Sequence, residues 1–169
     1  MADTSVSFEE AVFGCQKRIR LTDPATGKDT VLEIKIPAGI EDGKSIRLRG
    51  KGQPGVAGGE AGDLLIQIHV GTKAGFERKG KDIYTTAEIP YATAVLGGEA
   101  LVPTLFGDVR CKIKAGTQSG TKIRLRGKGA PGLGQSAKGD EYVTVQIQVP
   151  RHLSAEAEGK LRDYARSCA

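Results

Sequence analysis

The sequence predicts an all-β chain: two tandem β-sandwich-like subdomains of similar topology carrying short helices, followed by a C-terminal amphipathic helix. Three observations lead there. First, the phrase Ile-Arg-Leu-Arg-Gly-Lys-Gly occurs at Ile46 to Gly52 and again at Ile123 to Gly129. Its surroundings repeat in register. Ile36-Pro37-Ala38-Gly39 precedes one copy as Ile113-Lys114-Ala115-Gly116 precedes the other, Pro54-Gly55 is echoed by Pro131-Gly132, and Gly62-Asp63 by Gly139-Asp140. A unit this long exceeds one solenoid repeat and implies two sister subdomains side by side. Second, the apolar runs alternate with polar residues at period two, the pattern of half-buried strands. Third, the 24 Gly and 7 Pro cluster between those runs without a collagen period, which marks turns between strands.

The elements follow in order. Ser7-Phe8-Glu9-Glu10 spells a capping box ahead of Ala11-Val12-Phe13, so a helix of one or two turns is expected, stopped by Gly14. Cys15 to Leu21 reads as a strand with Lys17, Ile19 and Leu21 on one face and Arg18 and Arg20 on the other. Asp23-Pro24-Ala25-Thr26-Gly27 supplies turn chemistry, and Val31 to Ile36 returns to complete a hairpin. Ile46 to Arg49 and Asp63 to Val70 are two further strands, separated by a glycine-rich span. After Pro90, Tyr91 to Leu96 predicts a second short helix, and Ala94-Val95-Leu96-Gly97 repeats Ala11-Val12-Phe13-Gly14. The second hairpin turn is compressed into Leu105-Phe106-Gly107-Asp108. Ser154 caps a final helix whose apolar residues Ala157, Leu161, Tyr164, Ala165 and Cys168 recur at three and four. The expected division is residues 1–80, 81–152 and 153–169.

Composition narrows the function. Each subdomain of about 70 to 80 residues has only a modest core, burying roughly 60% of its unfolded surface, and with 5% aromatics and no Trp that core must rest on Val, Ile and Leu. Cys15, Cys111 and Cys168 form no Cys-x-x-Cys pair, so neither a disulfide framework nor a metal site is expected, and reduced thiols point to a cytoplasmic protein. The start lacks a basic and apolar leader, and no apolar run is long enough to span a bilayer, so a soluble chain is expected. The net charge of +5 comes from 25 bases mixed with 20 acids, a weak and salt-sensitive pull on polyanions.

Catalytic motifs are wanting. Ala38-Gly39-Ile40-Glu41-Asp42-Gly43-Lys44-Ser45 approaches a phosphate-binding loop, but Ala38 stands where Gly is needed and a strand follows instead of a helix. His69 and His152 have no ligand or nucleophile partner nearby in sequence, and no Gly-x-Ser-x-Gly elbow occurs. A binding module is expected, with no cofactor and no enzymatic activity. Arg47, Arg49 and Lys51, with Arg124, Arg126 and Lys128, offer a basic face on two equivalent strands; without interleaved aromatics, nucleic acid is the lesser alternative. The stronger candidate is the Lys17, Ile19 and Leu21 face, together with Phe76, a large apolar residue in the otherwise polar loop Thr72 to Arg78. These residues would line a shallow groove in which an extended peptide adds as a strand.

Val6 to Gly14, Ile36-Pro37-Ala38-Gly39, Gly62-Asp63-Leu64, Phe76 to Asp82 and Pro103-Thr104-Leu105-Phe106-Gly107 resemble the C-terminal client-binding region of DnaJ-type J-domain co-chaperones. The likeness spans essentially the whole chain. It implies two β-sandwich-like subdomains and a terminal segment that makes a homodimer, here through Leu161 and Tyr164. It also implies that unfolded or aggregation-prone polypeptide is held in a groove on the first subdomain for delivery to the seventy-kilodalton heat-shock chaperone. Matching positions put Lys17, Ile19, Leu21 and Phe76 in that groove. Two further positions fall on Ala2 and Thr4, smaller than is usual in the family, so that wall is expected to be weak. An alternative occupant is the tail of the heat-shock partner. No His-Pro-Asp occurs and no cysteine-rich module interrupts the first hairpin, so the resemblance is to the zinc-free subclass and to a fragment of a longer protein.

Overall fold

Ser7 opens the first helix as its spelling predicts. In the computed structural model, which describes residues 2–22, 27–50, 52 and 62–168, the Ser7 hydroxyl accepts from the Glu10 amide at 3.1 Å. The Glu10 carboxylate accepts in turn from the Ser7 amide at 2.9 Å, so the capping box is complete. Helix α1 (Phe8–Phe13) ends at Gly14 and buries Phe8, Ala11 and Val12. The expected turn at Asp23 to Thr26, Lys51 and the Pro54-Gly55 echo lie outside the described residues.

The first half places β1 (Ala2–Val6) parallel to β5 (Leu64–Val70), with β4 (Ser45–Leu48) antiparallel on the far side of β5. The hairpin of β2 (Cys15–Thr22) and β3 (Asp29–Ile36) forms a separate two-stranded sheet. Between these sheets lies a core of Val6, Ala11, Ile34, Ile36, Ile40, Ile66 and Ile68, with Ile19 and Cys15 packed on its margin. Each fully buried isoleucine contributes roughly 1.5–3 kcal/mol, so aliphatic packing alone supports a subdomain without tryptophan.

The second half repeats the plan. β7 (Asp82–Pro90) runs parallel to β11 (Glu141–Gln148), β10 (Lys122–Leu125) is antiparallel beyond β11, and β8 (Gly98–Thr104) with β9 (Gly107–Ile113) forms the second hairpin sheet. Helix α2 (Tyr91–Leu96) takes the place of α1. The duplication read from sequence is thus a duplication of topology, and the all-β class with short helices holds.

One strand breaks the symmetry. β6 (Phe76–Lys79) pairs antiparallel with β7 and extends the second sheet to the order β10-β11-β7-β6. The sequence puts Phe76 in a loop; in the structure it opens this strand, because its backbone finds the edge of β7 close by. Helix α3 (Ala155–Ser167) follows Ser154, whose hydroxyl accepts from the Ala157 amide, and none of its residues is buried. Among the described residues no helix is long and apolar enough to cross a membrane.

The halves meet closely. Phe8 and Val12 of α1 pack with Ile83 and Ala130. Gly39 takes φ 86°, and a Cβ there would stand 2.4 Å from the Pro131 carbonyl oxygen, so the approach of the two backbones requires glycine.

Candidate functional site

Strand β2 alternates half-buried and exposed residues from end to end, and Lys17, Ile19 and Leu21 share its half-buried face. Its only strand partner among the described residues is β3, so one edge keeps its backbone groups free for another strand. Ala2 and Thr4 are half-buried on β1, whose outer edge is likewise unpaired among the described residues. The Lys17 ammonium lies 3.4 Å from the Glu10 carboxylate, and the Ser7 amide and then Lys17 hold that carboxyl below its ordinary range.

Phe76 opens β6, outside the two-stranded β2–β3 sheet. Its ring lies 6.4 Å from that of Phe8, and the two line a cavity of about 400 Å³ with Val70, Asp42 and Arg78. Helix α1 links the two places, for Phe8 reaches Phe76, Glu9 reaches Lys73 at 2.5 Å, and Glu10 reaches Lys17. The Lys73 contact holds the Glu9 carboxyl low. Sequence reasoning used Glu10 only as a cap and missed its partnership with Lys17; the short step from the helix to the strand was the available signal.

The corresponding face of the second half is more buried. The positions equivalent to Lys17, Ile19 and Leu21 are Ala100, Val102 and Thr104; Ala100 is half-buried, but Val102 is 0% and Thr104 8% exposed. The compressed turn consumes Thr104, whose hydroxyl donates to the Gly107 carbonyl at 2.5 Å and accepts from the Phe106 amide at 3.0 Å. The edge of β7, counterpart of the open β1 edge, is covered by β6. Where the first half has Leu64, the second has Glu141, fully buried with neither carboxyl oxygen hydrogen-bonded.

The doubled basic phrase has a structural use. Arg47 pairs with Asp63, which also accepts from the Gly50 amide. Arg124 repeats this with Asp140 at 2.6 Å, and Asp140 accepts from the Gly127 amide at 3.0 Å. Arg47 and Arg124 therefore tie the ends of strand pairs. Arg49 and Arg126 lie beyond the ends of β4 and β10, so the expected basic strand face is shorter than its spelling.

At the C-terminus, Leu161 and Tyr164 are each 45% exposed. The Tyr164 hydroxyl lies 3.2 Å from that of Tyr91 on α2, a contact that raises the Tyr164 pKa. Among the described residues no cluster of His, Cys, Asp and Glu is arranged to hold a metal.

A more exposed and a more buried copy of one β unit, set side by side and joined through α1 and β6, define a duplicated β module. The chain belongs to the DnaJ C terminal domain family, which it matches over residues 1–150. It is 49% identical over 138 residues to the chaperone protein DnaJ of Burkholderia mallei strain SAVP1, and 49% identical over the same length to that of Burkholderia pseudomallei strain 1710b. The chaperone protein DnaJ of Burkholderia thailandensis is 48% identical to it. Each alignment covers 82% of this chain and 37% of the relative, so the chain spans little more than a third of the curated relatives it matches.

Proposed function

We propose that the chain is a non-enzymatic chaperone module. Residues 1–80 would bind extended segments of unfolded polypeptide along β2, residues 81–152 would act as the sister scaffold, and residues 153–169 would join two copies. Clients held this way are passed to the seventy-kilodalton heat-shock chaperone in the cytoplasm. The observation that carries the reading is the contrast between the half-exposed Lys17, Ile19 and Leu21 face and its buried counterpart at Val102 and Thr104. Family membership and the names of the relatives agree with it.

A client strand added to β2 would gain backbone hydrogen bonds from the free edge and bury alternate side chains over Ile19 and Leu21. With so few anchors, affinity of about 1 μM, near −8 kcal/mol, and fast exchange are expected. Titrating a fluorescent unfolded peptide should show Leu21→Asp and Ile19→Asp weakening binding by about tenfold, near 1.4 kcal/mol. Leu21 sits outside the buried cluster, so its variant separates binding from folding. Phe76→Ala should weaken binding less, because part of the Phe76 ring already packs against Phe8. Unchanged affinity in both β2 variants would remove this face from consideration.

The exposed Leu161 and Tyr164 on a helix with no buried residue support self-association. Sedimentation should show the intact chain as a dimer and the chain truncated after Leu153 as a monomer, and a truncated chain that still sediments as a dimer would exclude α3 as the dimer contact.

A further inference from the structure

Four segments converge on one ring at the junction of the halves. Phe106, half-buried at the tip of the β8–β9 turn, meets Phe13 at the end of α1 edge to face, with centroids 5.3 Å apart and planes at 88°. The Lys128 ammonium, just after β10, lies 5.7 Å from the Phe106 centroid. The Lys138 ammonium, just before β11, lies 4.1 Å from it. Phe13 is 47% exposed.

Each lysine is within cation–π range of the same ring, which keeps the two ammonium groups no further apart than about one Debye length, roughly 10 Å at 0.1 M salt. Such a pair repels itself, and among the described residues neither lysine has a carboxylate within ion-pair distance. Glu141 couples electrostatically to Lys128 from beneath the surface but makes no ion pair with it. The outcome is an exposed aromatic edge beside two cations, neither in an ion pair among the described residues, held in place by a ring. An apolar side chain would pack on Phe13 while flanking carboxylates reach the two ammonium groups, whose rotamer freedom the ring already restricts. Single-stranded nucleic acid fits less well: it needs a run of open ring faces for stacking, and here the lysines occupy the face of Phe106.

We propose that Phe13, Phe106, Lys128 and Lys138 form a docking point for an acidic peptide segment carrying an apolar side chain, separate from the β2 face.

The probe is a fluorescein-labelled hexapeptide with a central leucine between pairs of aspartate and glutamate, followed by anisotropy on the full chain. The double variant Lys128→Glu/Lys138→Glu should weaken its binding at least tenfold and leave the neutral unfolded peptide of the β2 assay unaffected. Phe13→Ser should also weaken it, and Leu21→Asp should not. Rising salt should reduce affinity for the acidic probe far more than for the neutral one. The proposal is overturned by unchanged binding in the double variant, by equal loss in Leu21→Asp, or by a single-stranded oligonucleotide that binds tighter than the acidic probe. Because the two peptides are read separately, failure of the β2 reading leaves this result interpretable.

Discussion

Replacing Glu141 with leucine is expected to stabilise the chain by about 3 kcal/mol near pH 8, with a gain that shrinks as the pH is lowered. Glu141 is fully buried at the start of β11, between Leu125 and Ile83 on the flanking strands. Burial pushes its carboxyl up to about 7; Thr85 and Lys128 favour the ionised form but do not offset the desolvation. The folded chain therefore retains a proton that the unfolded chain releases from about pH 4.5 upward. Stability is fully present below about pH 4.5, falls as the pH rises, and levels off once the folded-state pKa of about 7 is passed. A rise of this size corresponds to about 3 kcal/mol. The introduced leucine side chain would restore what Leu64 supplies in the first half, at similar volume and without a buried charge. Glu141→Gln should flatten the pH profile while leaving an unpartnered amide, and so gain less than leucine. Urea denaturation of the three proteins at several pH values measures this. A parent stability that rises between about pH 5 and 8 would contradict the burial of this carboxyl.

Glu141 also marks how far the sequence could be read. Strand periodicity, the capping box at Ser7, the helix after Pro90 and the terminal helix after Ser154 are local signals, and each of these elements forms. The repeat itself was legible because turns and ion pairs such as Arg47 with Asp63 and Arg124 with Asp140 sit in fixed register. Glu141 was available to the same alignment: Gly62-Asp63-Leu64 beside Gly139-Asp140-Glu141 puts a carboxylate at an inward position. What local reasoning could not reach is β6. Phe76 to Lys79 has no strand-length alternation, and its pairing with β7 is a tertiary event. That pairing places Phe76 on the second sheet with its ring 6.4 Å from that of Phe8, and covers an edge of β7 whose counterpart on β1 is unpaired among the described residues. The asymmetry between the copies therefore resides partly in side chains, which could be read, and partly in one strand, which could not.

The segment that escaped sequence reasoning also carries a polar tie from the second sheet back to the Gly39–Ile40 turn. Arg78 on β6 sends Nη1 to the Ile40 carbonyl at 2.7 Å, Nη2 to the Gly39 carbonyl at 2.7 Å, and Nε to the Gly80 carbonyl at 2.8 Å. Burial lowers the pKa of this guanidinium, and Glu41 acts in the opposite direction. Arg78→Ala would leave the Gly39 and Ile40 carbonyls without these donors beside the close Gly39 and Pro131 backbones, and is expected to cost about 3 kcal/mol. Arg78→Lys should recover less than half of that, because one ammonium cannot span three carbonyls in the geometry of a planar fork. The loss should be local before it is global. Amide exchange should accelerate first at Gly39, whose N–H donates to the Ala11 carbonyl at 2.8 Å, and at Gly134, whose N–H reaches the Ala38 carbonyl at 3.4 Å. With this tie gone, coupling of the two cores rests more heavily on the Phe8 and Val12 contact with Ile83 and Ala130, so the urea transition should broaden and its slope fall as well as its midpoint. A variant with the parent's slope, midpoint and exchange pattern would mean that the remaining contacts suffice to join the halves, and that Arg78 contributes no more than an exposed arginine.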